Sequence, residues 1–171
     1  MSDLTDDRIH LRRIRFWLTG FIIGLVLSGV TAFPLETELG WLVSILHADL
    51  LRPISEFTGL LPWIERVNDA LRTTNAHYPF LAYGTDWLAF AHLVIAVAFV
   101  GPYIDPVRNK WVITFGLIAC AGVIPLALIA GVMRGIPFPW RLIDCSFGIV
   151  GCIPLFLCMR SIRVLEREGA G

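Results

Sequence analysis

Four long, predominantly apolar stretches constrain this chain more than any other feature of its sequence. They cover residues 16–33, 81–103, 111–133 and 140–159. An α-helix needs roughly 20 apolar residues to cross about 30 Å of hydrocarbon, so each stretch has about the length of a membrane span. Aromatic or charged residues lie at or near their ends, as they do at membrane–water interfaces. The sequence therefore predicts an all-α integral membrane protein with four transmembrane helices in a small bundle.

The composition of the chain agrees with insertion into a membrane. Hydrophobic residues make up 56% of the 171 residues and charged residues only 16%, whereas about a quarter of a soluble domain is charged. The 14 basic and 14 acidic residues balance, so no positive excess indicates a nucleic-acid partner. The four cysteines lie inside the apolar stretches without a CxxC pair, which favours packing over a disulfide framework or a metal site. We expect residues 1–171 to form a single membrane domain.

The distribution of basic residues predicts the orientation of the spans. Nine of the 14 basic residues fall in three short segments, residues 8–15, 108–110 and 160–167. Short basic loops and flanks stay on the cytoplasmic side of a membrane. We therefore expect a multi-pass protein of the cell membrane with both termini in the cytoplasm.

The first span also resembles a secretory signal peptide. It has a basic flank, an apolar core and a candidate cleavage site at Val-Thr-Ala, residues 30–32. We favour a retained helix because Gly20, Gly24 and Ser28 form a stripe of small residues, which suits close packing between helices. Cleavage would leave three spans with the orientation of the remainder unchanged.

Residues 34–80 join the first two spans, and the predicted topology places this connection on the outer side. Its apolar run at 39–51 is too short to cross a membrane and suits an interfacial or re-entrant segment. Residues 59–72 carry apolar side chains at three- and four-residue spacing, which predicts an amphipathic helix. The apolar positions are Leu60, Ile64, Val67 and Leu71. Polar residues, Asn68 among them, fill the rest, so we expect one or two amphipathic or interfacial helices here.

Ionisable residues inside the spans are the candidates for a functional site, because charges are costly in hydrocarbon. At 1.5 Å per residue, Asp86 and Asp144 lie roughly 6–8 Å inside the outer ends of their spans. Arg141 lies near the same level, and His92 lies near the middle of its span. We predict that Asp86, Arg141 and Asp144 converge in one hydrogen-bonded cluster. His92 would then form the floor of an outward-facing, ligand-binding pocket.

Neighbours at helical spacing indicate that these polar residues face inward. His92 shares its face with Ala89 and Ala96, and Asp144 shares a stripe with Gly148 and Gly151. Small residues beside a polar one are typical of a packed helix interface. Structural alternatives remain open: an Arg141–Asp144 pair, a helix cap formed by Asp86 with Thr85, and a hydrogen bond from His92 to another helix.

Prolines predict three local irregularities. Asp105 before Pro106 predicts a tight turn between the second and third spans. Pro125 and Pro154 lie within the third and fourth spans. Each removes a backbone donor and is expected to bend its helix.

These residues favour a small membrane protein that binds a lipid, a quinone or a similar amphiphile, or an accessory subunit of a larger membrane complex. One alternative is a membrane-embedded enzyme with Asp86, His92 and Asp144 as acid–base groups. Others are a haem-binding protein and a transporter that acts as an oligomer. No nucleophile stands clearly beside a base and no established catalytic motif occurs, so no catalytic residue is predicted. Membrane lipids are the expected partners, a homo-oligomer stays open, and the sequence specifies no cofactor.

Overall fold

The computed structural model describes the backbone of residues 3–168 and the side chains of residues 7–167. The described residues form eight α-helices and one 3-10 helix, with no β-strand among them. The bounds are α1 Asp3–Ala32, α2 Leu35–Leu46, α3 Arg52–Phe57, α4 Leu60–His77, η1 Pro79–Ala82, α5 Tyr83–Ala98, α6 Val100–Ile104, α7 Lys110–Met133 and α8 Phe138–Glu168.

Four helical segments are long and apolar enough to cross a membrane, as the sequence predicts. They are Asp7–Ala32, Pro79–Ile104, Lys110–Met133 and Phe138–Arg167. The first and last extend beyond the apolar stretches because Arg, Glu and Leu are all good helix formers, so the helix continues through polar residues. The apolar stretch therefore gives the length of a candidate span and not the length of its helix.

The long helices alternate in direction, which gives the molecule two distinct ends. We call the end with the start of α1, the 105–109 loop and the end of α8 the termini end. The opposite end, which carries α2 to α4, is the connector end. At the termini end, Arg15 Nε donates a hydrogen bond to the Tyr103 carbonyl at 3.4 Å. There, Lys110 Nζ also donates to Glu166 Oε2 at 2.6 Å and ties the start of α7 to the end of α8.

The main apolar core lies toward the termini end. Helix α1 contacts both α5 and α8, and α7 packs along α8, whereas direct contact between α5 and α8 is slight. The core residues are Ile14, Leu18, Phe99, Ile113, Cys120, Leu155, Cys158, Met159 and Ile162. Toward the connector end the contacts are pairwise, with Gly29 of α1 against α5 and Gly131 of α7 against α8. The four long helices therefore share one core at the termini end only.

The turn between the second and third spans forms as predicted. Asp105 Oδ1 accepts a hydrogen bond from the Arg108 backbone N–H at 3.1 Å. The Asp105 carbonyl accepts another from the Asn109 backbone N–H at 3.1 Å. Asn109 Nδ2 also donates to the Gly101 carbonyl at 3.2 Å, which fixes the turn against α6.

Proline has a local effect in the second span that the sequence analysis missed. Helix α5 ends at Ala98 and α6 begins at Val100. Pro102 has no backbone N–H to donate to the Ala98 carbonyl, so the regular pattern is interrupted there. By contrast, α7 stays helical through Pro125 and α8 stays helical through Pro154.

Helices α2 to α4 form a layer with an apolar cluster of its own. Its buried members are Leu39, Leu46, Leu61 and Ile64. Trp140 packs against this cluster and so connects the layer to the first turn of α8. His47 Nε2 and Glu65 Oε1 lie 2.8 Å apart and link the end of α2 to α4.

One residue of α4 is placed differently from the prediction. Asn68 was expected among the exposed polar residues, but only 9% of it is exposed. It follows Leu61 and Ile64 by seven and four positions, a spacing that places all three on one face of a helix. Its Oδ1 has no hydrogen-bond partner among the described residues, so the layer contains a buried, unsatisfied acceptor.

Candidate functional site

The four candidate residues lie on two helices, Asp86 and His92 on α5 and Arg141 and Asp144 on α8. Among the side chains of residues 7–167, no ion pair or hydrogen bond joins Asp86, Arg141 and Asp144. The predicted three-residue cluster is therefore not formed. The reason is the packing order: α5 packs on α1, whereas α8 packs on α1 and α7. Similar depth along two helices does not bring residues together when those helices are not neighbours.

The Arg141 side chain extends toward α7 and does not pair with Asp144. Its aliphatic stem lies against Gly131, where a Cβ atom would collide with Arg141 Cγ and Cδ. The guanidinium carbon lies 5.4 Å from the centroid of the Phe138 ring, within the range of a cation–π contact. Room for the arginine side chain thus depends on a glycine in the neighbouring helix.

The Nε atom of Arg141 is buried and has no hydrogen-bond partner among the described residues. A guanidinium stays protonated in proteins and carries five N–H donors, so an unmet donor here belongs to a charged group. Leaving a buried polar group unsatisfied costs about 1–3 kcal/mol, and more when the group is charged. Trp140 holds this part of α8 against the α2–α4 layer, where Asn68 Oδ1 and Asn75 Oδ1 also lack hydrogen-bond partners among the described residues. The connector end therefore carries one unmet donor on α8 and two unmet acceptors on α4.

Asp144 lies on the close-packed face that the glycine spacing predicts. A Cβ atom at Gly148 would lie 2.5 Å from the Cys120 carbonyl oxygen, and one at Gly151 would lie 2.9 Å from Cys120 Sγ. Helices α7 and α8 therefore approach closely along this stripe. The Asp144 carboxylate is partly buried and forms no ion pair with a described side chain.

His92 forms its hydrogen bond within its own helix and not across helices. Nδ1 lies 2.8 Å from the Leu88 carbonyl, which can only accept, so Nδ1 donates this hydrogen bond. The residues predicted to share an inward helix face with His92 are buried: Ala89 is 0% exposed, Ala96 3% and Phe99 0%. His92 itself is only partly buried, at the margin of that face.

Asp86 forms part of the wall of a hollow between the end of α1 and the start of α5. The structural alternative of a helix cap is not formed: Thr85 Oγ1 donates instead to the Ala82 carbonyl at 2.6 Å, and no side-chain cap precedes α5. The carboxylate of Asp86 has no ion-pair partner among the described side chains.

The cysteines pack inside the helical region as the sequence predicts. All four are free thiols, and Cys120, Cys145 and Cys158 are buried. Within residues 7–167, no three His, Cys, Asp or Glu side chains are placed so that they could hold a metal ion.

Comparisons of the chain with protein-family models, with curated proteins and with solved structures gave no match. The geometry is therefore the basis for assigning a role to the connector end. It offers a positively charged donor at Arg141, set in apolar surroundings between α7 and α8. That arrangement suits a ligand with a polar, oxygen-bearing head and an apolar body.

Proposed function

We propose that the four long helices cross the membrane as one bundle, with the termini end in the cytoplasm and the connector end outside. Two observations support this. Only 17% to 28% of each candidate span is buried inside the molecule, so most of its apolar surface needs a non-aqueous neighbour. Nine of the 14 basic residues lie at the termini end, in keeping with the bias of cytoplasmic loops.

We further propose that the protein binds a lipid, a quinone or a similar amphiphile at the outer ends of α7 and α8. The observation that carries this proposal is the Arg141 guanidinium, which forms no ion pair with a described carboxylate and whose buried Nε has no hydrogen-bond partner among the described residues. A phosphate, carboxylate or carbonyl oxygen accepts a strong, charge-assisted hydrogen bond from a guanidinium. Asp144, near Arg141 on α8, would accept a hydrogen bond from a hydroxyl of the same head group. Asp86 and His92 lie on α5, so we limit the proposed head-group contact to Arg141 and Asp144.

Apolar surroundings favour an amphiphile over a water-soluble anion as the occupant. The guanidinium lies over the Phe138 ring, and the neighbouring Leu142 on α8 exposes apolar surface. A ligand with an acyl or isoprenoid tail would place that tail along this surface while its head meets Arg141. The binding free energy would then combine burial of apolar area with one charge-assisted contact.

Native mass spectrometry of the gently purified protein tests this function. Arg141→Gln removes the charge with little change in side-chain length, and Arg134→Gln is the matched control because Arg134 is an exposed arginine at the same end. We expect a small molecule to co-purify with the native chain and with Arg134→Gln but to be lost from Arg141→Gln. Its mass would distinguish a lipid from a quinone. Equal retention by Arg141→Gln, or a native chain with no bound amphiphile, would contradict the proposal.

A second candidate function is that of a subunit packed against another membrane helix. The stripe of Gly20, Gly24 and Ser28 is exposed, and space for a Cβ atom is open at both glycines. Small residues on a membrane helix let a second helix approach closely. The same mass spectra test this candidate: a dimer or a stoichiometric protein partner supports it, and a monomer in every preparation contradicts it.

A further inference from the structure

A hollow lined by aromatic rings lies where α1 ends and α5 begins. Its wall is formed by Phe33, Tyr83, Asp86, Trp87 and Phe90, and its volume is about 240 Å³. Pockets that bury a drug-sized ligand measure about 300–1,000 Å³. This smaller, open hollow therefore suits a head group or another compact ligand.

The rings are arranged at right angles to one another. The centroids of Tyr83 and Trp87 are 5.9 Å apart with an interplanar angle of 84°. Those of Trp87 and Phe90 are 6.1 Å apart with an angle of 87°. All three rings are more than half exposed, so their surfaces remain available to a ligand.

The chemistry of this wall selects for an organic cation. Aromatic faces carry partial negative charge and attract cations placed within about 6 Å of the ring centroid, and methylated ammonium groups are recognised in this way. Asp86 is the one acidic residue that lines the hollow, but the surface that the hollow exposes is apolar, so the aromatic rings carry the recognition. An inorganic cation such as Ca²⁺ would need about six to eight oxygen ligands, and an anion would be repelled by the partial negative charge of the ring faces.

We propose that this hollow, the aromatic site, binds a methylated ammonium group such as that of choline. The inference does not rest on the amphiphile site at Arg141, because Arg141 lies on α8 and the aromatic site lies between α1 and α5. The same ammonium chemistry occurs in free choline and in the head group of a choline lipid. The aromatic rings supply the faces that meet the methyl groups, and their attraction for positive charge separates an ammonium from a neutral group of equal shape.

Proton NMR of the full chain in phosphatidylglycerol nanodiscs tests the proposal with choline as the probe. The matched probe is 3,3-dimethylbutan-1-ol, in which a carbon replaces the charged nitrogen without changing the shape. We expect choline methyl signals to shift upfield through the ring currents of the site. We expect the alcohol to bind about two- to fivefold more weakly, since a cation–π contact at an exposed site is worth about 0.5–1 kcal/mol. Equal binding of the two probes would overturn the proposal, and so would no binding of choline in these nanodiscs.

Two variants assign the effect to this site. Tyr83→Leu should weaken choline binding about two- to fivefold, and Trp87→Leu should remove the upfield shift. Tyr78→Leu and Trp111→Leu are the controls, because Tyr78 and Trp111 are exposed aromatic residues that do not line the hollow. Unchanged binding in both site variants would refute the assignment. The comparison of the two probes uses the native chain, so it stands even where a variant fails to fold.

Phosphatidylcholine nanodiscs separate the two sources of the ammonium group. If a choline lipid fills the aromatic site, free choline will lose its upfield shift in these nanodiscs. If the site takes only the free molecule, the shift will be the same in both lipids. Either result supports recognition of the ammonium group and names its source.

Discussion

Replacing Gly29 with alanine should loosen the contact between α1 and α5. A Cβ atom at Gly29 would lie 2.9 Å from the Ala89 carbonyl oxygen and 3.0 Å from the Leu93 side chain. The carbonyl belongs to the backbone of α5, so relief requires the two helices to separate. Extra atoms in a well-packed interior cost about 1–3 kcal/mol, and alanine returns up to about 1 kcal/mol of helix propensity. The net loss of unfolding free energy is therefore up to about 2 kcal/mol.

Gly122→Ala, inside helix α7, is the matched control, because nothing lies within 4 Å of a Cβ atom there. It gains the helix propensity without the collision, so the two variants should differ by about 1–3 kcal/mol. For a chain of this size that corresponds to roughly 2–12 °C in Tm. Thermal unfolding in detergent, followed by tryptophan fluorescence, measures the difference. Equal Tm values for the two variants would refute the packing of α1 on α5 described above.

Two further predictions concern the Arg141 region and the topology. Gly131→Ala should displace the Arg141 stem and so reduce the amount of amphiphile that co-purifies with the protein. Gly122→Ala is the control, because a Cβ atom there meets no neighbour and the amphiphile should be retained. Equal retention by the two variants would contradict the claim that Gly131 positions the guanidinium. Reporter fusions after residue 55 and after residue 108 should report opposite sides of the membrane, outside and cytoplasmic respectively, and a shared side would refute the orientation.

The helices themselves were predictable from the sequence because apolar length and helical spacing act locally. The four candidate spans, the tight turn at Asp105 and the close-packed stripe of Gly148 and Gly151 follow from such local patterns. Asn68 was predictable in principle, since its spacing from Ile64 places it on the buried face of α4. The interruption before Pro102 could also have been found, because proline lacks the N–H that the helix requires.

The arrangement of the candidate site depends on which helices are neighbours, and the sequence does not specify that. Asp86 and Asp144 have similar depths along their helices, but α5 and α8 have only slight direct contact, so equal depth did not mean proximity. The direction of Arg141 depends on the open space at Gly131, a glycine of another helix. The sequence predicted close helix packing at the stripe that contains Gly24, but this stripe is exposed, and the glycine of α1 that contacts α5 is Gly29.

The most direct measurement is an experimental density map of the protein in native lipid nanodiscs, at a resolution that shows side chains. The central claim concerns the Arg141 guanidinium, whose buried Nε atom has no acceptor among the described residues. We predict density for an amphiphile whose head-group oxygen lies about 3 Å from a terminal guanidinium nitrogen of Arg141, with its tail along α7 and α8. An Arg141 side chain paired with Asp144, with no ligand density beside it, would contradict the claim.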